Sequence, residues 1–458
     1  MYQIDFKHPV HIYFVGIGGI SMSGLAEILH HAGFTVSGSD WKQSPITQGL
    51  EAKGIRVSYG EDASHVTDDI DVAVLTSAVG EGNLEFIAIK EKNIPYMYRA
   101  DLLGQIMLNY QTSIAISGTH GKTTTTSMVS QVLLEADTDP TLSVGGILKA
   151  IGGNLRIGGP EIFVTEACVY TNSFLSFFPK IGIILNIEED HLDFFKDLAD
   201  IRSSFRKFAQ LIPADGALII NGDIPNWQEI AADLPCKVVT FGFDASCDYH
   251  PEEISYDALA CAAFTAVTPD GTHPIKLSVP GSHNITNALA TLALADLLSL
   301  DRALSAAGLL HFTGTDRRFE YKGQVNGITI IDDYAHHPTE ITATLTAAQN
   351  YPHRNLWVVF QPHTYTRTQA FLKEFAQALS LADKVVLADI YAAREINTIG
   401  ISSQAIVDEL QKLGKESYYL PTFEEIEKFL QKNCINDDLL ITMGAGDVHK
   451  IGENLLQK

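Results

Sequence analysis

The chain has 458 residues, 46% of them hydrophobic, enough to bury several ordinary cores in two to four domains of about 100–200 residues each. A formal net charge of −23 excludes a nucleic-acid binder, whose affinity rests on clustered Lys and Arg, and requires any anionic ligand to be held by a few placed cations and backbone N–H groups. Five scattered cysteines without a C-x-x-C pair fit a reducing cytoplasm better than a disulfide framework or a zinc site.

Taken in chain order, HIYFVGIG (11–18) is an apolar strand ending in glycines, followed by a helical pattern from Ile20 to Gly33. FTVSGSD (34–40) and DVAVLTSAV (71–79) predict further strands. SIAISG (113–118) opens a second block and leads into a helix from Lys122 to about Ala136, with strands at IFVTEA (162–167), IGIILNIEEDH (181–191) and GALIING (216–222). VVTFGF (238–243) and residues 261–279 read as strand pairs, the latter turning at Pro269-Asp270-Gly271, before an Ala/Leu helix from about His283 to Leu300. A third block from near Gly314 has strands at 327–335, 356–363, 384–391 and 439–446, each followed by a helical pattern. Strands alternating with helices imply parallel sheets covered on both faces. The fold class is α/β with three domains: residues 1–110 Rossmann-like, 111–314 a central P-loop ATPase with a mixed sheet, and 315–458 again Rossmann-like. The N-terminus has no basic segment followed by a long apolar run. The later apolar stretch carries Asp296, Asp301 and Arg302, so neither a signal peptide nor membrane insertion is expected and the predicted location is cytoplasmic.

The sharpest signal is Gly118-Thr119-His120-Gly121-Lys122-Thr123 at a strand–helix junction. It is two residues shorter than the common G-x-x-x-x-G-K-[ST] loop, yet a helix N-terminus behind two glycines points N–H groups and a positive dipole end at one spot. Lys122 can neutralise a β/γ-phosphate oxygen and Thr123 can offer a hydroxyl to Mg²⁺. Glu166, Glu188, Glu189, Asp190 and His191 follow strands whose ends share the loop's sheet edge, giving oxygen-rich candidates for that cation. Gly16-Ile17-Gly18-Gly19-Ile20-Ser21 resembles G-x-G-x-x-G with Ser21 in place of the third glycine. With Asp40 at the end of the next strand it suits the diphosphate and ribose of either a dinucleotide or a nucleotide sugar. Arg317, Arg318, residues 332–338 (DDYAHHP), residues 360–363 (FQPH) and Arg367 gather titratable groups at the third block's strand ends, which points to a cleft.

GTHGKTTTT (118–126), NIEEDHLD (186–193), SHNITNALA (282–290), DRRFE (316–320), DDYAHHP and FQPH, together with VGIGGISMSGLAE (15–27) and SGSD (37–40), occur in order across essentially the whole chain. They resemble the bacterial Mur ligases, a family in which a shortened P-loop is usual, and most nearly the branch that joins L-alanine to UDP-N-acetylmuramate. The resemblance implies an ATP- and Mg²⁺-dependent ligase of peptidoglycan precursor synthesis that forms an acyl phosphate, working as a monomer or homodimer. It implies that Gly16, Gly18, Gly19, Ser21, Met22, Ser23, Asp40, Ser77 and Arg99 face the UDP-sugar. Gly118, Thr119, His120, Gly121, Lys122, Thr123 and Thr124 would hold ATP phosphates, Asn284 and Asn287 would flank adenine, and Arg318 and Asp333 would reach ATP from the third domain. Thr123, Glu166 and His191 look like the Mg²⁺ set, and His336 and Arg367 like the amino-acid side. Catalysis would fall to Lys122, His191, Arg318 and His336, the last handling the amine's proton. The match departs at two places. Cys168-Val169-Tyr170-Thr171 replaces an acidic run common in the family, and Thr364 replaces an arginine after FQPH, leaving Arg367 as the main carboxylate binder. Two alternatives stay open: a ligase that attaches a whole tripeptide to the same UDP-sugar, and an NAD-dependent oxidoreductase.

Overall fold

The structure, a computed structural model, describes residues 2–457 apart from Ser77, Asp193 and Arg394. Ser77, expected beside the UDP-sugar, therefore lies outside the described residues. Four sheets follow one another along the chain. The first has β1 (His11–Val15), β2 (Thr35–Asp40), β3 (Arg56–Tyr59), β4 (Val72–Leu75) and β5 (Tyr96–Tyr98) in the order β3-β2-β1-β4-β5, all parallel. The second comprises β6 (Thr112–Ser117), β7 (Thr141–Leu148), β8 (Gly153–Arg156), β9 (Ile162–Ala167), β10 (Ile181–Ile184), β11 (Ala217–Asn221) and β12 (Lys237–Phe241). Its order is β12-β11-β10-β6-β9-β7-β8, parallel except for the edge strand β8, which makes the sheet mixed as expected. A small antiparallel sheet, β13 (His250–Tyr256), β14 (Cys261–Thr268) and β15 (Gly271–Pro280), covers one flank of it. The last sheet has β16 (Glu320–Val325), β17 (Ile328–Asp333), β18 (Leu356–Phe360), β19 (Lys384–Leu387), β20 (Glu416–Tyr419) and β21 (Leu439–Met443) in the order β16-β17-β21-β18-β19-β20, with only β16 antiparallel.

Most predicted strands form, but shorter. The predicted strand 181–191 stops at Ile184, because Asn186, Glu188 and Asp190 turn their side chains to bonds outside any ladder. Residues 238–243 do not make a hairpin; β12 pairs in parallel with β11, as an apolar run behind a βα unit should. The hairpin across residues 269–271 forms, and the long helix runs from His283 to Leu297.

Burial separates the units unevenly. One apolar cluster joins Leu102, Leu103 and Ile106, on the helix Arg99–Met107 behind the first sheet, to Phe163, Phe174 and Phe205 of the second. Among the described residues, the two clusters of the last sheet draw only on positions from 319 onward. The first two units therefore share a core, whereas the last keeps its own. Gly104 is the tightest point of the shared seam, since a Cβ there would lie 1.9 Å from the carbonyl oxygen of Ser176. Gly104→Ala should lower the thermal unfolding midpoint, by a loss of about 1–3 kcal/mol typical of forced overpacking. A midpoint equal to the parent's in a calorimetric scan would show that the seam yields freely.

Candidate active site

β6 ends at Ser117 and the helix Lys122–Glu135 begins after four intervening residues. Gly118 (φ 153°) and Gly121 (φ 81°) carry the intervening turn through backbone angles that side chains disfavour. A Cβ on Gly118 would also press to 3.0 Å from Leu185, so both the turn and its packing select glycine. No side chain caps the helix, leaving its first N–H groups and the positive end of its dipole directed at the cleft. The loop is stitched to the segment after β10: Thr119 N–H donates to Asn186 O (3.2 Å), Glu188 N–H to Thr119 Oγ1 (2.9 Å), and Asn186 brackets His120 by accepting its N–H (2.8 Å) and donating to its carbonyl (3.1 Å). Lys122 Nζ donates to the carbonyls of Gly118 (2.7 Å) and Thr119 (2.8 Å), which holds the ammonium over the loop.

Thr123 Oγ1 donates to Glu166 Oε2 at 3.1 Å, and Gly145 N–H to Glu166 Oε1 at 2.6 Å. A Cβ on Gly145 would fall 2.5 Å from that carboxylate, so the glycine makes the cradle in which Glu166 sits. Thr123, Glu166 and His191 line one cavity of about 970 Å³. A hydroxyl, a carboxylate and an imidazole around one cavity fit a hard divalent cation such as Mg²⁺, with water completing its shell. His191 itself stands at φ 52° beside Asp190, 3.7 Å from Nε2 to Oδ2.

Lys122, Arg318 and His336 line that same cavity, and so does Ser23 from the first unit. Gly121, Thr124, Asn284, Asn287, Arg318 and Asp333 meet instead around an adjoining cavity of about 230 Å³. There Asn284 Nδ2–H donates to Pro280 O (2.7 Å) and Asn287 Nδ2–H to Asn284 Oδ1 (3.0 Å), so the two amides are oriented as a pair. Asp333 accepts N–H groups from Phe319 (2.9 Å) and Ala335 (2.7 Å) and the Thr344 hydroxyl (3.1 Å). Burial pushes its carboxyl up to about 6, a rise that Arg318 and the two amides only partly offset.

His336 and His120 are both half-buried, yet their titration diverges. Burial pushes His336 down to about 4 despite Glu340, leaving the ring neutral at neutral pH. Its Nδ1–H is donated to Tyr334 O at 3.0 Å, which makes Nε2 the basic nitrogen. Burial also opposes the charge on His120, but Glu340 and Glu188 on either side overcome it and raise the imidazole to about 9. Arg367 is 10% exposed and donates to Asp190 Oδ1 (2.8 Å) and His363 Nδ1 (3.2 Å). Burial alone would raise Asp190, yet Arg367 and His191 hold it far below the usual carboxylate range. Arg367, His363 and His191 line a further cavity of about 580 Å³. Arg367 thus stands at a pocket but is already paired with Asp190, one of the acidic residues that follow β10. At the neighbouring Thr364 the backbone lies at φ 65°, an unfavourable angle for a β-branched residue.

In the first unit, Gly18 N–H donates to Asp40 Oδ2 at 2.8 Å and a Cβ on Gly18 would strike that oxygen. Trp41 N–H occupies the other oxygen of Asp40, also at 2.8 Å, so Asp40 shapes the glycine turn as well as facing a cavity of about 490 Å³ with Gly16. Gly19 opens the helix Ile20–His31, and Arg99 donates to Ser21 Oγ at 3.1 Å. Met22 departs from expectation: its side chain is packed in the apolar core because it occupies the inward face of that helix, and only its backbone can face a ligand. Sequence reasoning missed Asn186 and Glu340, whose partners lie 66 and 220 residues away.

Comparison with known proteins agrees with this geometry. The chain matches the Mur ligase family catalytic domain over residues 11–111, the Mur ligase middle domain over 116–295 and the Mur ligase glutamate ligase domain over 317–446. It is 62% identical to the UDP-N-acetylmuramate–L-alanine ligase of Agathobacter rectalis and 57% identical to that of Lachnospira eligens, in each case over 100% of both chains. Among solved structures it is similar to the UDP-N-acetylmuramate–alanine ligase of Thermotoga maritima, with a TM-score of 0.78 and 31% identity over 98% of each chain. It is also similar to a murein peptide ligase of Psychrobacter arcticus, with a TM-score of 0.70 and 26% identity over 98% of each chain. Matched by all three of the family's domain models and by relatives along its whole length, the chain belongs to the Mur ligase family.

Proposed function

We propose that this protein joins L-alanine to the carboxylate of UDP-N-acetylmuramate at the expense of ATP, releasing ADP and phosphate in peptidoglycan precursor synthesis. The observation that carries the chemistry is the single cavity of about 970 Å³ onto which Lys122 and Thr123 of the phosphate loop, Arg318 and His336 of the last unit and Ser23 of the first all open. Similarity to relatives that bear this activity in their names carries the choice of substrates. Residues 1–110 would hold the UDP-sugar, 111–314 ATP, and 315–458 the amino acid. Among the described residues no helix is long and apolar enough to cross a membrane.

An amide cannot form directly from a carboxylate, because oxide is a poor leaving group. The carboxylate oxygen therefore attacks the γ-phosphorus of ATP, ADP departs, and an acyl phosphate results. The amine of L-alanine attacks the acyl carbon, loses a proton, and expels phosphate. The first step brings two anions together, and Lys122, the loop N–H groups and Arg318 offset their repulsion by standing where the charge gathers. Mg²⁺, held by Thr123, Glu166 and His191, would supply further neutralisation of the phosphate oxygens. His336, neutral and with Nε2 as its free basic nitrogen, takes the amine's proton. Arg367 receives the alanine carboxylate, and closure of the units over the bound substrates would keep water from the acyl phosphate.

ADP release measured with UDP-N-acetylmuramate should depend on L-alanine and should be abolished in Lys122→Ala, while the variant still binds the UDP-sugar in calorimetry. Release driven equally well by the tripeptide alone would replace this reading with the murein-recycling one. Arg367→Lys should raise KM for L-alanine about ten- to a hundredfold, as expected when about 1.5–3 kcal/mol of charge-assisted hydrogen bonding is lost, and leave KM for ATP nearly unchanged. A raised ATP KM with an unchanged alanine KM would assign Arg367 to the nucleotide.

A further inference from the structure

His120 sits in the phosphate loop, but its ring turns away from Lys122 toward the last unit. Its Nδ1–H donates to Glu340 Oε1 at 3.1 Å, and its Nε2 faces Glu188 Oε2 at 3.6 Å. The two carboxylates come from different units. Glu340 lies in the first turn of the helix Pro338–Ala348 and also accepts the His336 N–H at 3.0 Å. Glu188 lies in the segment after β10 and also accepts the Thr339 hydroxyl at 2.7 Å. The ring is aimed, because Asn186 grips both the N–H and the carbonyl of His120. All three charged side chains line the cavity of about 230 Å³ shared with Asn287 and Arg318.

We infer that His120, Glu188 and Glu340 form a clamp that couples the phosphate loop to the seating of the last unit, with His120 and Glu340 as positioning residues for the ligation. The inference rests on the function proposed above and adds what makes ATP binding and closure over His336 one event. The last unit shares no buried apolar cluster with the rest among the described residues, which leaves polar contacts a large part in seating it. An imidazolium suits that task, since its two N–H groups point to opposite sides and can bridge one carboxylate from each unit. Removing His120 leaves two half-buried carboxylates facing each other without their counter-charge, which is unfavourable. The ligand atoms of His120, Glu188 and His337 also lie within 4.8 Å of one another, close enough to suggest a metal site. Both ring nitrogens of His337 are spent, however: Nε2–H donates to Glu189 O (3.2 Å) and Nδ1 accepts Thr339 N–H (3.4 Å). The cluster therefore works as an ion-paired bridge.

The test is a double-mutant cycle on the full chain with His120→Ala, Glu340→Gln and the pair, read by KM for ATP, KM for the UDP-sugar, and small-angle scattering of the unliganded protein. Each single variant should raise KM for ATP about tenfold and leave KM for the UDP-sugar unchanged, because that ligand's residues lie in the first unit. Each should also enlarge the radius of gyration, and the double variant should be no worse than the poorer single one. Multiplying effects in the double variant, an unchanged ATP KM, or an equal rise for the UDP-sugar would overturn the clamp. Should Glu340→Gln not fold, Glu188→Gln at the more exposed end is read in the same way, with a smaller rise of about threefold expected. Parent enzyme without alanine-dependent ADP release would overturn the functional reading instead, and the scattering comparison would still decide the clamp.

Discussion

β9 and β10 flank β6 on opposite sides, so the chains leaving these three parallel strands diverge around the turn that leaves β6 and open a crevice there. The register then does much of the positioning. Glu166 is paired with Ile116, one residue short of the end of β6, which sets its carboxylate beside the loop and within reach of Thr123. β10 ends level with Ser117, so the acidic segment that follows it runs along the other side of the same turn. Gly118 and Gly121 let the loop pass between them, and the last unit supplies the remaining wall through the tail of β17 and the helix from Pro338.

A chain of charge −23 that must bring two anions together has to ration its cations. Lys122 lies over the loop, Arg318 lines both cavities at the P-loop, and Arg367 waits at the next pocket in partnership with Asp190. The histidines show how position alone assigns roles. His336 and His120 are both half-buried and both touch Glu340, but His120 has a second carboxylate, Glu188, while His336 faces Arg367. One ring is therefore a standing cation and the other a neutral base. The charge on His120 lies between carboxylates of two units, whereas His336 is neutral where the proposed mechanism needs a proton acceptor.

Much of this was legible in the sequence for a physical reason: phosphate loops and glycine turns depend on residues close together in the chain. The loop from Gly118 to Thr123, the Glu166 strand end and the glycine turn around Gly18 each carry their own local signal. What escaped depended on distant partners. Nothing near Glu340 announces that it will meet His120, and nothing near Asp190 announces Arg367, because those pairs exist only once the second and last units pack together. The segment from Asn186 to His191 looked like the continuation of an apolar strand, and its polar side chains left the ladder to make those long-range bonds. Met22 failed in the opposite sense: the motif around it is local, yet the face of the helix it occupies is set by packing.

In the proposed reaction the carboxylate is phosphorylated at the loop before the amine attacks. Turnover of UDP-N-acetylmuramate labelled with ¹⁸O in its carboxylate, followed by mass analysis of the released phosphate, tests this directly. Transfer of one labelled oxygen to phosphate for each amide formed is the predicted result, since the oxygen that attacks phosphorus leaves with it. Phosphate free of label alongside normal amide formation would contradict the acyl phosphate and the role assigned here to Lys122 and the phosphate loop.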